Sequence, residues 1–241
     1  MTEQQSGWVG RSVQRREDDQ LLRGRGKFVA DLVVPNMVHA AFVRSPLAHG
    51  RIVSLDLTAA RAAPGICLAL SGADLGEALA PIGGGQVVTP KGWKDRVEHR
   101  VLIPPQPIIP DAKSRYVGEA LAVIDADNRY IAEDAARAVV PELEPLPVVQ
   151  NCEAGLAENC EILHPNLGTN LVGELGVKKG DAAEALAAAP RRIKRRFVHH
   201  RYAAMPMECR GVLAQYDQRT DSLTVWSSTQ VVHWIRRELG L

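Results

Sequence analysis

Ser227, Ser228, Thr229 and Gln230 follow one another between an apolar run, Leu223 to Trp226, and a segment of helical apolar spacing, Val231 to Leu239. Three hydroxyls and one primary amide held between a strand and a helix can turn hydrogen bonds toward a ligand, as loops carried by rigid elements often do. The chemistry such groups offer is orientation, not attack or proton transfer. No Ser stands in a G-x-S-x-G turn, and the carboxylates show no spacing that marks a general acid and base pair. No catalytic residue is therefore assigned.

Metal chemistry has little support in the residue pattern. His199 and His200 are neighbours, and neighbours on an extended strand point to opposite faces, so they do not share one ion. Cys67, Cys152, Cys160 and Cys209 lack paired C-x-x-C spacing, which argues against a zinc or iron–sulfur site and for reduced thiols. No metal ligand is assigned. Gly83-Gly84-Gly85 could wrap a phosphate, but Gln86-Val87-Val88-Thr89-Pro90 follows it where a helix N-terminus is needed. The one strongly basic stretch is RRIKRRFVHHR, residues 191–201. It reads either as a site for an anionic cofactor or partner, or as a solvated or interfacial strand.

The elements that must position these groups alternate between strand and helix. Residues 1–20 read as a polar tail. Lys27 to Leu32, Val38 to Val43 and Arg51 to Leu57 read as strands, Thr58 to Ala63 as a helix capped by Asp56, and Ile66 to Leu70 as a strand. Dense Pro and Gly make 81–110 a loop excursion. Tyr116 to Asp125 reads as a buried strand, with Gly118 allowing a bulge or a close approach, and a helix capped by Asp127 or Asn128 follows it. Pro141 ends that helix, and Pro145 and Pro147 confine 142–150 to an edge strand. Residues 151–180 read as a linker, Ala182 to Ala189 as a short helix, and Gly211 to Trp226 as a hairpin. The expected fold is α+β, with a domain over 21–150, the linker, and the start of a second domain over 181–241.

Composition narrows the class. With 241 residues, 46% of them apolar, one or two domains with a sizeable core are expected. Lys and Arg total 29 against 28 Asp and Glu, so the chain as a whole gives no reason to expect a nucleic-acid or membrane-surface partner. The opening MTEQQSGWVG has no secretory pattern, and no apolar run approaches ~18 residues. A cytoplasmic protein without a membrane span is expected.

The order of longer phrases carries a resemblance. GRSVQRREDDQLLRGRGKFVADLVVPNMVHAAFVRSPLAHGRIVSLD, PGICLALSGADL, RYVGEALAVIDADNRYIAEDAARAV, ELEPLPVV, MECRG and LTVWSSTQ resemble, in sequence, the large subunit of molybdenum hydroxylases. This is the xanthine oxidase and aldehyde oxidase family. The resemblance is greatest to the branch holding aerobic carbon monoxide dehydrogenase large subunits and bacterial aldehyde or heterocycle dehydrogenases. It implies an α/β hammerhead domain followed by the beginning of the first molybdenum-binding domain. It implies a molybdopterin cofactor, in bacteria usually molybdopterin cytosine dinucleotide, and partner subunits carrying FAD and iron–sulfur clusters. The activity implied is oxidation of an aldehyde, heterocycle or similar small substrate with water as oxygen source. Gln230 matches the Gln of the family's S-T-Q phrase, whose amide hydrogen-bonds the molybdenum oxo group.

Departures bound that expectation. The family's glycine-rich G-G-G-F-G-G phrase and its far C-terminal Glu base have no counterpart here, Ala120 and Cys209 stand where proline is usual, and the substrate loop is missing. The chain is thus expected to be a portion of a large subunit, inactive alone, either a fragment or one half of a split subunit whose other chain carries the rest of the molybdenum domain. The rival expectation is a non-catalytic hammerhead module that binds an anionic partner through 191–201.

Overall fold

A computed structural model describes residues 7–76, 82, 97–104, 106–177 and 179–240. In chain order the elements are α1 (Asp18–Leu22), a 3-10 turn (Val29–Asp31), β1 (His39–Arg44), β2 (Gly50–Ser54), α2 (Thr58–Ala62), β3 (Ile66–Ser71) and α3 (Gly72–Leu75). There follow β4 (Val97–Val101), β5 (Lys113–Ser114), β6 (Ala120–Ala126), α4 (Arg129–Ala138), β7 (Glu142–Pro145) and α5 (Cys152–Gly155). A 3-10 turn (Pro165–Leu167), β8 (Gly173–Val177), α6 (Ala182–Ala188), β9 (Val212–Asp217), β10 (Ser222–Ser227) and α7 (Val232–Gly240) complete the chain. These form two compact units, Asn36–Phe197 and, separately, residues 7–35 with Val198–Leu239.

The larger unit is organised on β6. Its sequence ALAVIDA buries Leu121, Ala122, Ile124 and Ala126, the apolar density expected of a central strand. β1 and β3 pair with it on either side, both antiparallel. Helix α4 lies on this sheet. Asn128 caps it by accepting the Ile131 N–H at 3.0 Å, and Arg129 pairs with Glu133 one turn on at 2.6 Å. Val139, which ends it, joins Val43, Leu57, Ala60, Ala69, Ala122 and Ile124 in one core, and its Ala132 meets Ala41 and Ala126 in a second. Alanines on both surfaces let helix and sheet approach closely. Full burial of Ile124 alone contributes about 1.5–3 kcal/mol.

A second sheet runs β5-β2-β7, with β7 on its edge as Pro145 and Pro147 require. Asp56 begins α2 by accepting the Thr58 N–H at 2.8 Å. Among the described residues no helix is long and apolar enough to cross a membrane.

Several segments differ from the sequence reading. Lys27 to Leu32 is not a strand. It holds the Val29–Asp31 turn, because the Asp31 carboxylate accepts the Phe28 N–H at 3.0 Å and so competes with extended backbone. The strand expected from Tyr116 begins only at Ala120. Gly118, at φ +86°, turns the chain there and donates its N–H to Ser45 O at 2.8 Å. The excursion 81–110 contains β4, which pairs antiparallel with β8 from the stretch read as a linker. Residues 151–180 also carry α5 and a 3-10 turn, so they are more than connection. The basic stretch 191–201 forms no strand; it is exposed along its length, with Ile193 and Phe197 more than four-fifths exposed. The triple glycine Gly83 to Gly85 lies outside the described residues.

Candidate functional site

The polar quartet sits where the sequence places it, at the exit of β10 into α7, within the smaller unit. β9 and β10 pair in plain antiparallel register from Ser222↔Asp217 to Ser227↔Val212. Their connection is closed by the Asp217 carboxylate, which accepts the Arg219 N–H at 2.9 Å, and by Tyr216 donating to Asp221 at 2.6 Å. That acceptor holds the Tyr216 phenol above its ordinary pKa. A lone two-stranded ribbon is marginally stable in water, so its open end needs further ties.

Those ties come from Ser228 of the quartet and from Glu208 and Gly211, two residues that sequence reasoning did not single out. Glu208 accepts the Val29 N–H at 3.1 Å. Gly211 lies against the same residue so closely that a β-carbon on it would sit 3.1 Å from Val29 Cβ and Cγ1. Ser228 then joins the two sides of the hairpin mouth. Its Oγ accepts the Gly211 N–H at 2.9 Å, and its backbone N–H donates to Gly211 O at 3.1 Å. The MECRG phrase is the sequence signal for Glu208 and Gly211.

The quartet is therefore not four equivalent groups. Ser227 lends its carbonyl to the Thr229 N–H at 2.9 Å, and Thr229 Oγ1 accepts the Val231 N–H at 3.2 Å, starting α7. Ser228 is occupied by Gly211. Gln230 is exposed, and its side chain makes no hydrogen bond among the described residues. Its amide therefore keeps two donors and an acceptor for a ligand, on a backbone fixed by the bonds of its two neighbours. The apolar stripe of α7 is open as well: Trp234 is 43% and Leu239 53% exposed, with Trp234 Nε1 donating to Glu238 at 3.2 Å and Arg237 over its ring.

His199 and His200 lie in exposed coil, and no group of three metal-binding side chains occurs among the described residues. What the junction can do is hold an acceptor oxygen at one neutral amide.

Residues 23–147 match the family described as "Aldehyde oxidase and xanthine dehydrogenase, a/b hammerhead domain", and residues 163–240 match "Molybdopterin cofactor-binding domain", which includes the junction. The chain is 36% identical over 238 residues to the nicotine 6-hydroxylase large subunit of Paenarthrobacter nicotinovorans, covering 97% of this chain and 27% of that one. Among solved structures, quinoline 2-oxidoreductase from Pseudomonas putida 86 is 38% identical with a TM-score of 0.77, over 92% of this chain and 27% of that one. Carbon monoxide dehydrogenase from Oligotropha carboxidovorans is 27% identical with a TM-score of 0.78, over 95% and 28%. The chain thus spans between 25% and 50% of the length of the curated relatives it matches, and 27% of the nicotine 6-hydroxylase large subunit. With a hammerhead match over more than half its residues and a molybdopterin-domain match over the hairpin and its helix, this chain belongs to the aldehyde oxidase and xanthine dehydrogenase family of molybdenum hydroxylases.

Proposed function

We propose that this chain is the hammerhead-bearing, N-terminal portion of a molybdenum hydroxylase large subunit, and that Gln230 is its contact with molybdopterin, in the cytosine dinucleotide form. Subunits carrying FAD and iron–sulfur clusters complete the enzyme, and the remainder of the molybdenum domain supplies the proton-transfer groups. The observation that carries the reading is the exposed Gln230 amide, without a hydrogen bond among the described residues, beside Ser228 and Thr229 bonds inside the molybdopterin-domain match. The donor set fits the group: a neutral N–H can meet an oxo or phosphate oxygen without adding charge beside it. When bound, the cofactor supplies the oxidation of a small electron-poor substrate with water as the oxygen source. This chain's part is placement, with Ser228 fixing the strand end, Thr229 the helix start, and Gln230 the contact.

A neutral hydrogen bond contributes about 1 kcal/mol net, so Gln230→Ala in the assembled enzyme is expected to slow turnover about five-fold. The hairpin should stay folded, since no internal bond is lost. Kinetics equal to the unsubstituted enzyme would remove Gln230 from the site. Purified without other chains, the protein is expected not to oxidise substrate; robust turnover by it alone overturns the reading.

The exposure of 191–201 favours a second reading, a module that binds an anionic partner there. Arg192 donates to Ala187 O at 2.9 Å and Arg196 pairs with Glu153 at 2.9 Å. Binding to a polyanion that weakens steeply with salt, in a preparation free of molybdenum, would support it over the first.

A further inference from the structure

Away from the junction, the larger unit holds a second concentration of donors. Lys113 in β5 and Arg115 just beyond it share one face, because side chains alternate along extended backbone, while Ser114 between them points inward and accepts from Ser45 Oγ at 2.9 Å. Both cations reach the same short segment. Lys113 Nζ donates to Ile162 O at 3.3 Å, and Arg115 Nε donates to Leu163 O at 3.3 Å. His164 is the next residue, and its ring is coupled electrostatically to both. The segment itself is held from the other side by Asn170, which accepts the Leu163 N–H at 2.9 Å and donates to Glu161 O at 2.9 Å and Gly155 O at 3.1 Å.

Counting donors shows a surplus. An ammonium has three and a guanidinium five. Among the described residues Lys113 adds to its carbonyl bond Glu161, at 4.0 Å, and Arg115 adds one bond, Nη1 to Lys113 O at 3.2 Å. Among the described residues the protein partners are long and leave several of these donors free for a further acceptor. The acidic groups facing the cluster are Glu161, at that limit, and Glu119, whose carboxylate accepts the Arg115 backbone N–H. The Lys113 side chain is 13% exposed, so most of its length is covered by protein. Burial, with Arg115, pushes the Lys113 ammonium below its ordinary pKa, and burial, with Arg115 and Lys113, pushes the His164 imidazole down. Burial is the larger cause of both shifts, and the neighbouring positive charge adds to it in the same direction.

We propose that Lys113, Arg115 and His164 form a binding site for a phosphate-type oxyanion. A tetrahedral oxyanion offers several acceptors to converging donors and offsets the charge that the protein leaves uncompensated. The site is separate from Gln230, and the proposal does not rest on the assignment of a cofactor there.

The test uses the whole chain and inorganic phosphate, followed through the His164 ring resonance in NMR, assigned by its loss in His164→Gln. Phosphate is expected to shift that resonance saturably and to raise the His164 pKa, relative to chloride at equal ionic strength. Lys113→Met is expected to weaken phosphate binding about ten-fold or more, as loss of a charge-assisted bond implies. Arg115→Lys keeps the charge but not the planar fork, and should bind with intermediate affinity. An identical shift with chloride, or unchanged phosphate affinity in Lys113→Met, overturns the proposal. Should Lys113→Met fail to fold, the phosphate-against-chloride comparison on the unsubstituted chain decides alone.

Discussion

Ser228→Ala isolates the bond on which the position of Gln230 depends. The substitution removes one hydroxyl and leaves the backbone bond from Ser228 N–H to Gly211 O, at 3.1 Å, in place. What is lost is the 2.9 Å acceptor for the Gly211 N–H. The reverse contact, Ser228 Oγ to Gly211 O at 3.4 Å, is too long to weigh heavily. A partly buried N–H stripped of its acceptor costs about 1–2 kcal/mol, toward the low end of such penalties because some water can reach it. That corresponds to a factor of about 5–30 in a local opening equilibrium. Hydrogen exchange at the Gly211 amide reads it directly: exchange should accelerate by that factor in Ser228→Ala, while amides of β6 in the larger unit stay as they were. Ser228→Thr keeps a hydroxyl and should restore most of the protection. Unchanged Gly211 exchange in the alanine variant would refute the reasoning, as would a threonine variant that behaves like alanine.

Two further substitutions probe the larger unit. Gly72 is buried in α3, and a β-carbon on it would lie 2.5 Å from Pro110 O and 2.7 Å from Ile109 O, so Gly72→Ala must push backbone aside. A loss of about 1–3 kcal/mol is expected, read as a lowered urea midpoint; an unmoved midpoint would mean the two segments are not packed this way. Glu119 is 6% exposed, and burial raises its pKa above the ordinary 4.5 despite the bonds it accepts from Arg115 and Tyr116. A raised folded value means that its favourable contribution is complete below the ordinary value and is lost as pH rises through the folded one. Glu119→Gln cannot ionise, so its stability relative to the unsubstituted chain should improve as pH climbs from below 4.5 to neutrality. A stability difference that stays constant across that range would contradict the burial argument.

What the sequence made legible, and what it did not, divides by the range of the interactions involved. β6 and α4 were readable because their signals are local: an apolar run, a capping Asn128, alanines at helical spacing, and a Pro141 stop. β4 and β8 were not, since GELGV and VEHRV show little strand pattern alone and gain their identity only from pairing across a long interval. The same division runs through the junction. Thr229 bonding to Val231 two residues on is the kind of local contact that a Thr before a helix suggests, whereas Ser228 meeting Gly211 follows only from hairpin register. Glu208 meeting Val29, 179 residues away, has no local signal at all. Gln230 is the inverse case. In the sequence it is one polar residue among four, and resemblance alone set it apart. In the structure its neighbours Ser228 and Thr229 are engaged with the backbone, so the amide between them and α7 is distinguished by what it does not do. An exposed amide on a backbone held by its neighbours stays available to a ligand outside the chain, and this is why the proposed cofactor contact falls on Gln230 and not on the two hydroxyl groups beside it.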